Sequence, residues 1–323
     1  MSRMYESTLS LALTLGVSAW CAGCGSDDDS DGSPAAIVDA GSDSGSEATV
    51  PFTLAFKLKA GDEDVDCSGP VTVSGHQVTV SVARFYVSEF ALLTADGESV
   101  PVELDSPAGS ATEPAYQGEG VGLLDFDNGK GECSGSTAGA NATITGKVKP
   151  GDYTGIAFSL GVPEALNHLD IIKAKAPLNV SGLYWTWLTG YMFTEFNLKT
   201  TESFAAVGPD GEALSPRPAQ FPIHLGSGAC VGDFRKGEPV TCKNPNRASI
   251  RLDAFDVTRD AVVLDLDALV GTTDLTVAHG ENNGCMAGPD DLDCAEIFRN
   301  IGLDPSTGKP SSGEQKAFRV EPK

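Results

Sequence analysis

Short stretches in which apolar and polar residues alternate recur along most of the chain. The alternation over Thr53–Lys59 is typical of a strand with one buried face. Comparable runs predict strands at Val71–Val73, Gln77–Val82, Arg84–Leu93, Ser99–Leu104, Asn141–Val148, Tyr153–Leu160, Leu183–Glu195, Arg247–Phe255 and Ala261–Leu266. Turn residues, as in Ala95–Glu98 and Pro150–Asp152, separate the runs. Helical patterns are short and confined to Pro163–Asp170, Asp267–Leu269 and Asp293–Ile301.

This succession of short strands and turns predicts an all-β fold, a single β-sandwich of immunoglobulin-like or related type with short helices. A connection rich in Gly, Ser and Pro is expected at Ser106–Gly122. The 323 residues divide into a lipoprotein signal peptide (1–24), an acidic flexible linker (25–50), the sandwich domain (51–303) and a loose C-terminal tail (304–323). The tail is expected to be loose because it holds three prolines and several Ser and Gly residues.

The N-terminal stretch predicts export. Leu9–Trp20 is mostly apolar, follows Arg3 and is too short to span a bilayer as a stable helix. Two small residues precede Cys24, which suits a lipoprotein signal peptidase, whereas a bulky tryptophan precedes Cys21. We therefore expect lipidation at Cys24 and anchoring in the bacterial cell envelope, at the outer membrane on its periplasmic or surface side. An ordinary cleaved secretory signal is the alternative.

The chain carries a formal net charge of −23, which excludes nucleic acid as a partner because phosphate binding needs basic patches. Residues 25–50 contain seven acidic residues and no Lys or Arg, a composition that cannot build a core. This Asp-rich segment lacks the terminal glutamate of an EF-hand loop, which argues against that calcium motif.

Six cysteines follow the signal region, and an even number in an exported protein predicts three disulfides. Six cysteines allow fifteen pairings. Proximity along the chain favours Cys230–Cys242 and Cys285–Cys294, which leaves Cys67–Cys133. None of these six cysteines forms a Cys-x-x-Cys pair, which argues against a structural zinc site and against attached haem.

No hydrolase, zinc-protease or phosphate-binding motif is present, so we do not expect an enzyme. The four histidines are His76, His168, His224 and His279. Imidazole suits copper and zinc, and either Asn167 or Asp170 could orient the His168 ring from outside the ligand shell. By spacing alone, each histidine is better explained as a hydrogen-bonded structural residue than as a metal ligand.

The densest aromatic stretch is Tyr184–Tyr191. On a continuous strand, Trp185 and Trp187 would point to the same face because side chains alternate with a period of two. Such a pair is most simply explained as sandwich core. Indole rings are also electron-rich and oxidisable, so an oxidising partner could act here.

Several motifs occur together and in one order: Gly-Val-Pro and Asn-His-x-Asp within 161–170, Ala176–Asn179, Trp-x-Trp and Gly-Tyr within 185–191, His224–Ser227, and the last four cysteines with Gly284–Met286. Arg84–Val87 and Leu123–Phe126 fit the same pattern. Over residues 52–303 the chain resembles the metallo-mystery-pair four-Cys motif proteins, the MbnP-like copper-binding family.

The resemblance implies a copper-binding protein of the cell envelope, with copper as Cu(I), that acts in copper binding, storage or delivery. It also implies a dihaem, cytochrome c peroxidase-like partner that oxidises one tryptophan of the Trp-x-Trp motif to kynurenine. The implied metal-site residues are His168, His224 and either Trp185 or Trp187. Two alternatives remain: a surface interaction lipoprotein without metal, and a binding module stabilised by calcium.

Overall fold

The computed structural model of the chain describes residues 48–109, 115–133, 139–233 and 236–323. The predicted signal peptide, Cys24 and all but the last residues of the predicted linker lie outside this part of the chain. Within it, no helix is both long enough and apolar enough to cross a membrane.

Strands dominate the described residues. Numbered in chain order, they are β1 (Val50–Ala60), β2 (Glu63–Asp64), β3 (Val71–Val73), β4 (His76–Leu93), β5 (Ser99–Pro101), β6 (Glu103–Leu104), β7 (Gln117–Gly118), β8 (Val121–Asp125), β9 (Thr143–Val148), β10 (Gly155–Leu160), β11 (Tyr184–Thr186), β12 (Gly190–Thr200), β13 (Ala205–Val207), β14 (Gln220–Gly226), β15 (Gly228–Val231), β16 (Thr241–Asn244), β17 (Ala248–Leu252), β18 (Asp260–Asp265), β19 (Val277–His279) and β20 (Phe318–Pro322). The described α-helices are α1 (Glu164–Asn167), α2 (Leu266–Val270) and α3 (Ala295–Asn300), and each overlaps a stretch predicted to be helical.

Two sheets form the sandwich-like body, so the predicted all-β class is confirmed. The smaller sheet has the strand order β20-β18-β1-β9-β6, with β2 beside β1. The larger follows the order β11-β12-β4-β10-β17, with β14 beside β12. Strands β15 and β16 form a separate two-stranded antiparallel ribbon, and β13 pairs with β19.

Strand β4 organises the larger sheet. Along one edge it pairs first with β12 and then with β10. Its other edge pairs with β8, which begins inside the stretch predicted to be a connection, Ser106–Gly122. A strand is favoured there because it satisfies the hydrogen-bonding groups that the central strand would otherwise leave unpaired.

The main core fills the space between the sheets with aliphatic and aromatic side chains. Phe158 packs against Phe56 and Phe318 with ring centroids 5.7 and 5.4 Å apart, in edge-to-face geometry. A smaller cluster lies on the opposite face of the larger sheet and contains Tyr86 and Tyr191. Segments 162–186 cover this second face, and the candidate site is built there.

All three predicted disulfides are present. Cys67–Cys133, Cys230–Cys242 and Cys285–Cys294 close sequence separations of 66, 12 and 9 residues. Closed loops of this kind stabilise a domain by restricting the unfolded chain, typically by about 2–4 kcal/mol each.

The prediction of a loose tail over 304–323 is wrong. Strand β20 pairs antiparallel with β18, with Phe318 opposite Leu264 and Val320 opposite Val262. Phe318 is 2% exposed and enters the main core. The prolines do not prevent this, because Pro322 ends an edge strand, where a missing N–H is tolerated.

Replacing Phe318 with Ala should therefore lower the free energy of unfolding by about 3–5 kcal/mol, since a large buried ring is removed. Chemical denaturation measures this. Glu314→Ala, an exposed change in the same segment, is the matched control and should leave the midpoint unchanged. Equal midpoints for both variants would show that β20 does not contribute to the core.

Candidate metal centre

His168 is the residue that caps the C-terminal end of α1, in a half-buried position. Its Nδ1 lies 3.3 Å from the backbone oxygen of Trp187, which can only accept a hydrogen bond, so Nδ1 carries the proton. Nε2 therefore has a lone pair, which lies 3.3 Å from the side-chain amide of Asn167. Burial lowers the pKa of His168, although the Trp187 carbonyl and Glu164 act in the opposite direction.

His224 lies on β14 directly opposite Glu195 of β12. Its neighbours Ile223 and Leu225 belong to the main core, so the His224 side chain lies on the opposite face of the sheet. Nε2 donates to Asn197 Oδ1 at 2.9 Å, which leaves the lone pair on Nδ1. Burial lowers the pKa of His224 to about 4, and the nearby positive charge of Arg84 contributes to that shift.

Both imidazoles are therefore neutral at pH 7. A neutral imidazole with one nitrogen fixed by a hydrogen bond is the form that binds a metal ion, because the fixed nitrogen sets the orientation of the other.

A row of charged residues lies beside His224 across three strands. Arg84 of β4 pairs in register with Glu195 of β12, which pairs with His224 of β14. Arg84 Nε donates to Glu195 Oε2 at 2.7 Å, and both side chains are largely buried. Burial raises the pKa of Glu195, and the ion pair with Arg84 opposes this shift. The paired charges leave His224 next to a cation that disfavours its protonation.

The two tryptophans do not share the face of one strand, so that prediction is wrong. Trp185 lies on β11, but residues 187–189 form the turn into β12, which interrupts the two-residue period. The six-membered ring of Trp185 lies against Gly226, where a Cβ atom would come within 2.5 Å of Trp185 Cζ3. Glycine at this position is therefore required for the ring to approach β14.

Asn167, one of the two residues predicted to orient the His168 ring, connects several segments of the centre by hydrogen bonds. It is 1% exposed, and its Oδ1 accepts the backbone N–H of Tyr191 at 2.9 Å. Its amide also donates to Ser227 Oγ at 3.0 Å. Asp170, the other predicted orienting residue, instead accepts the backbone N–H of Ile172 and pairs with Lys173, which places it in a local turn.

The predicted residues thus converge on the end of β14 from different directions. Trp185 packs on Gly226, Asn167 bonds to Ser227, and His224 lies on the same strand. No hydrogen bond joins the His168 and His224 rings in the described part of the chain. Neither described group of three closely spaced His, Cys, Asp or Glu ligands includes His224.

Sequence reasoning missed the polar residues that surround the histidines. Glu195 and Asn197 lie on β12, where they alternate with the buried apolar residues Phe196 and Leu198, and this was the available signal. The proximity of Cys242, whose Sγ lies 3.4 Å from His168 Nε2, had no signal in the sequence because 74 residues separate the two.

Comparisons with known proteins identify the family to which the chain belongs. The profile of the MbnP family matches residues 49–287. MbnP from Methylosinus trichosporium has a similar solved structure, with 30% sequence identity and a TM-score of 0.70. The match covers 85% of this chain and 99% of that one. The chain belongs to the MbnP family. No curated protein matches it.

The region matched to the MbnP family contains every residue of the candidate centre. It ends at Ala287, before Cys294, α3 and β20. The C-terminal strand that completes the smaller sheet of this MbnP-family protein is therefore outside the matched region, although it packs into the same core.

The lowered pKa of His224 predicts a pH effect on stability. Below its usual value of 6.5, the unfolded chain takes up a proton at this residue that the folded protein does not, so stability falls towards pH 4. In His224→Gln this fall should be smaller by about 3 kcal/mol between pH 6.5 and 4.

Denaturation curves at several pH values measure the effect. The difference in the free energy of unfolding between the unmutated protein and His224→Gln at pH 7.5 serves as the reference, because at that pH it reports packing alone. Stability curves that stay parallel from pH 7.5 to 4 would contradict the shift.

Proposed function

We propose that this MbnP-family protein binds copper, as Cu(I), in the bacterial cell envelope, and acts in copper binding, storage or delivery rather than as an enzyme. His168, His224 and a kynurenine made from Trp185 or Trp187 would hold the ion. The observation that carries the proposal is that three features lie at the end of β14: His224 on the strand itself, the Trp185 ring packed on Gly226, and the segment of His168, held there by the hydrogen bond from Asn167 to Ser227. Imidazole nitrogen is a ligand that suits copper better than hard cations such as calcium.

The tryptophan would gain ligand atoms through oxidation. Cleavage of the indole C2–C3 bond adds two oxygen atoms, and hydrolysis of the resulting N-formyl group releases formate. The kynurenine that remains has an aromatic amine and a ketone, whereas the indole nitrogen of tryptophan keeps its lone pair in the ring. We place the modification first at Trp185, because its ring contacts Gly226, two residues beyond His224.

A dihaem, cytochrome c peroxidase-like protein is the proposed oxidant. The exposure of this part of the surface supports a role for an external partner. Trp185 is partly exposed, and Thr189, Asn282 and Met286 line the same surface cavity beside it. An external oxidising protein could therefore approach the ring without unfolding the sandwich.

Copper titration of protein co-expressed with the dihaem partner tests the proposal. His168→Ala and His224→Ala should each weaken copper binding by more than about 100-fold, because loss of an outer-shell partner alone typically costs 10–100-fold. The Trp185–Trp187 peptide should gain one oxygen and lose one carbon, and fragmentation would identify the modified residue.

His76→Ala and His279→Ala are the matched controls, because these histidines pair with Glu202 and Asp293 and neither belongs to the proposed set of ligands. Both should keep the affinity of the unmutated protein. Unchanged copper binding in both His168→Ala and His224→Ala would refute the site.

We further propose that Cys24 carries a lipid anchor. Cys24→Ser should move the protein from the membrane fraction to the soluble fraction, because a lipid chain supplies the membrane affinity. Cys21→Ser should remain in the membrane fraction. The opposite pattern, measured by fractionation and immunoblotting, would assign lipidation to Cys21.

A further inference from the structure

One disulfide differs from the other two in its exposure. Cys230 and Cys242 are both partly exposed, opposite each other on the ribbon of β15 and β16. The cysteines of the other disulfides are all at most 3% exposed. Cys242 also lines a surface cavity of about 350 Å³ together with Glu164, Ser227 and Arg247. A reductant can therefore reach this disulfide and not the others, since exchange requires access to sulfur.

The exposed disulfide lies beside the imidazole of His168, a side chain that can bind a metal ion. The Nε2 lone pair of His168 lies 3.4 Å from Cys242 Sγ. Nε2 and the two sulfurs of Cys230 and Cys242 all lie within 4.8 Å of one another. In a trigonal site with metal–sulfur bonds of about 2.3 Å, the ligand atoms would be about 4 Å apart. His168 Nε2 is already close to that distance from Cys242 Sγ. The two sulfurs must separate by about 2 Å, which breaking the S–S bond permits.

Hydrogen bonds that do not involve the disulfide hold these groups in place. Asn167 bonds to Ser227 Oγ, which in turn donates to the backbone oxygen of Pro245 at 3.1 Å. The buried Asn244 amide donates to the backbone oxygen of Ser306 at 3.0 Å, which fixes the end of β16. The base of the ribbon and His168 should therefore stay together when the disulfide is opened.

We propose that reduction of Cys230–Cys242 creates a second metal site, in which two thiolates and His168 Nε2 bind Cu(I). The reductant is a dithiol: it transfers two electrons and two protons to the disulfide and becomes a disulfide itself. Metal binding then releases the two thiol protons. Thiolates are soft ligands that select Cu(I) over hard cations.

This site shares only His168 with the copper centre proposed above and needs neither kynurenine nor His224. The redox state of the ribbon then decides which set of ligands holds copper, because one Nε2 lone pair cannot serve both. The inference can therefore fail or succeed independently of the proposed function.

The test uses full-length protein made without the dihaem partner, so that no kynurenine is present. Cu(I) is titrated against a chromophoric chelator without oxygen, before and after mild reduction by a dithiol. Reduced unmutated protein and reduced His224→Ala should each gain one tightly bound Cu(I). X-ray absorption should show two sulfur atoms and one nitrogen around the ion.

Cys230→Ser/Cys242→Ser should gain no Cu(I) on reduction, with its fold checked by circular dichroism. His168→Gln keeps the disulfide, and its reduced form should bind Cu(I) more weakly. No gain in the reduced unmutated protein, or a gain that persists in the double serine variant, overturns the inference. Unchanged binding in His168→Gln, or thiol labelling that marks Cys67 or Cys285 before Cys230, does so as well.

Discussion

The alternation of side chains along β4 is the constraint on which both the fold and the candidate centre depend. Phe85 enters the core between the sheets, while Arg84 and Tyr86 on either side of it lie on the opposite face. One strand therefore supplies side chains both to the core and to the face that carries the candidate centre. A shift of one residue in its pairing would move each side chain to the other face. Partners on both edges of β4 fix its register, so the polar row that ends at His224 has a defined position.

The buried amide of Asn167 fixes the position of the segment that covers the sheet, as the pairing of β4 fixes the sheet itself. Its three hydrogen-bonding partners belong to β12, to the residue after β14 and to His168, so one side chain joins separate parts of the chain. Burying an amide is costly unless its groups are bonded, and here each is. Gly190, with a φ of 79°, is required beside it because a Cβ atom there would lie 2.4 Å from Asn167 Oδ1.

The sequence predicts what depends on local pattern, and it fails where distant segments decide. Alternating runs identified most strands of the two sheets, although not β8 or β14, and chain proximity identified all three disulfides. The C-terminal strand was not predicted, because Phe318 becomes a core residue only when β18 lies beside it. Local pattern also misplaced Trp187, since nothing in an aromatic run marks the turn at 187–189. The contact of His168 with Cys242 depends wholly on tertiary structure.

The candidate centre has neutral histidines, although the chain as a whole is strongly acidic. A net charge of −23 attracts cations. At His224 the pKa is lowered because burial removes the water that an imidazolium needs, and because Arg84 lies nearby. At His168 burial alone lowers the pKa, against the effects of the Trp187 carbonyl and Glu164. Hard cations drawn to the surface meet carboxylate oxygens first. A soft cation that reaches the end of β14 meets neutral nitrogen, and next to it a disulfide whose sulfur atoms become ligands only after reduction.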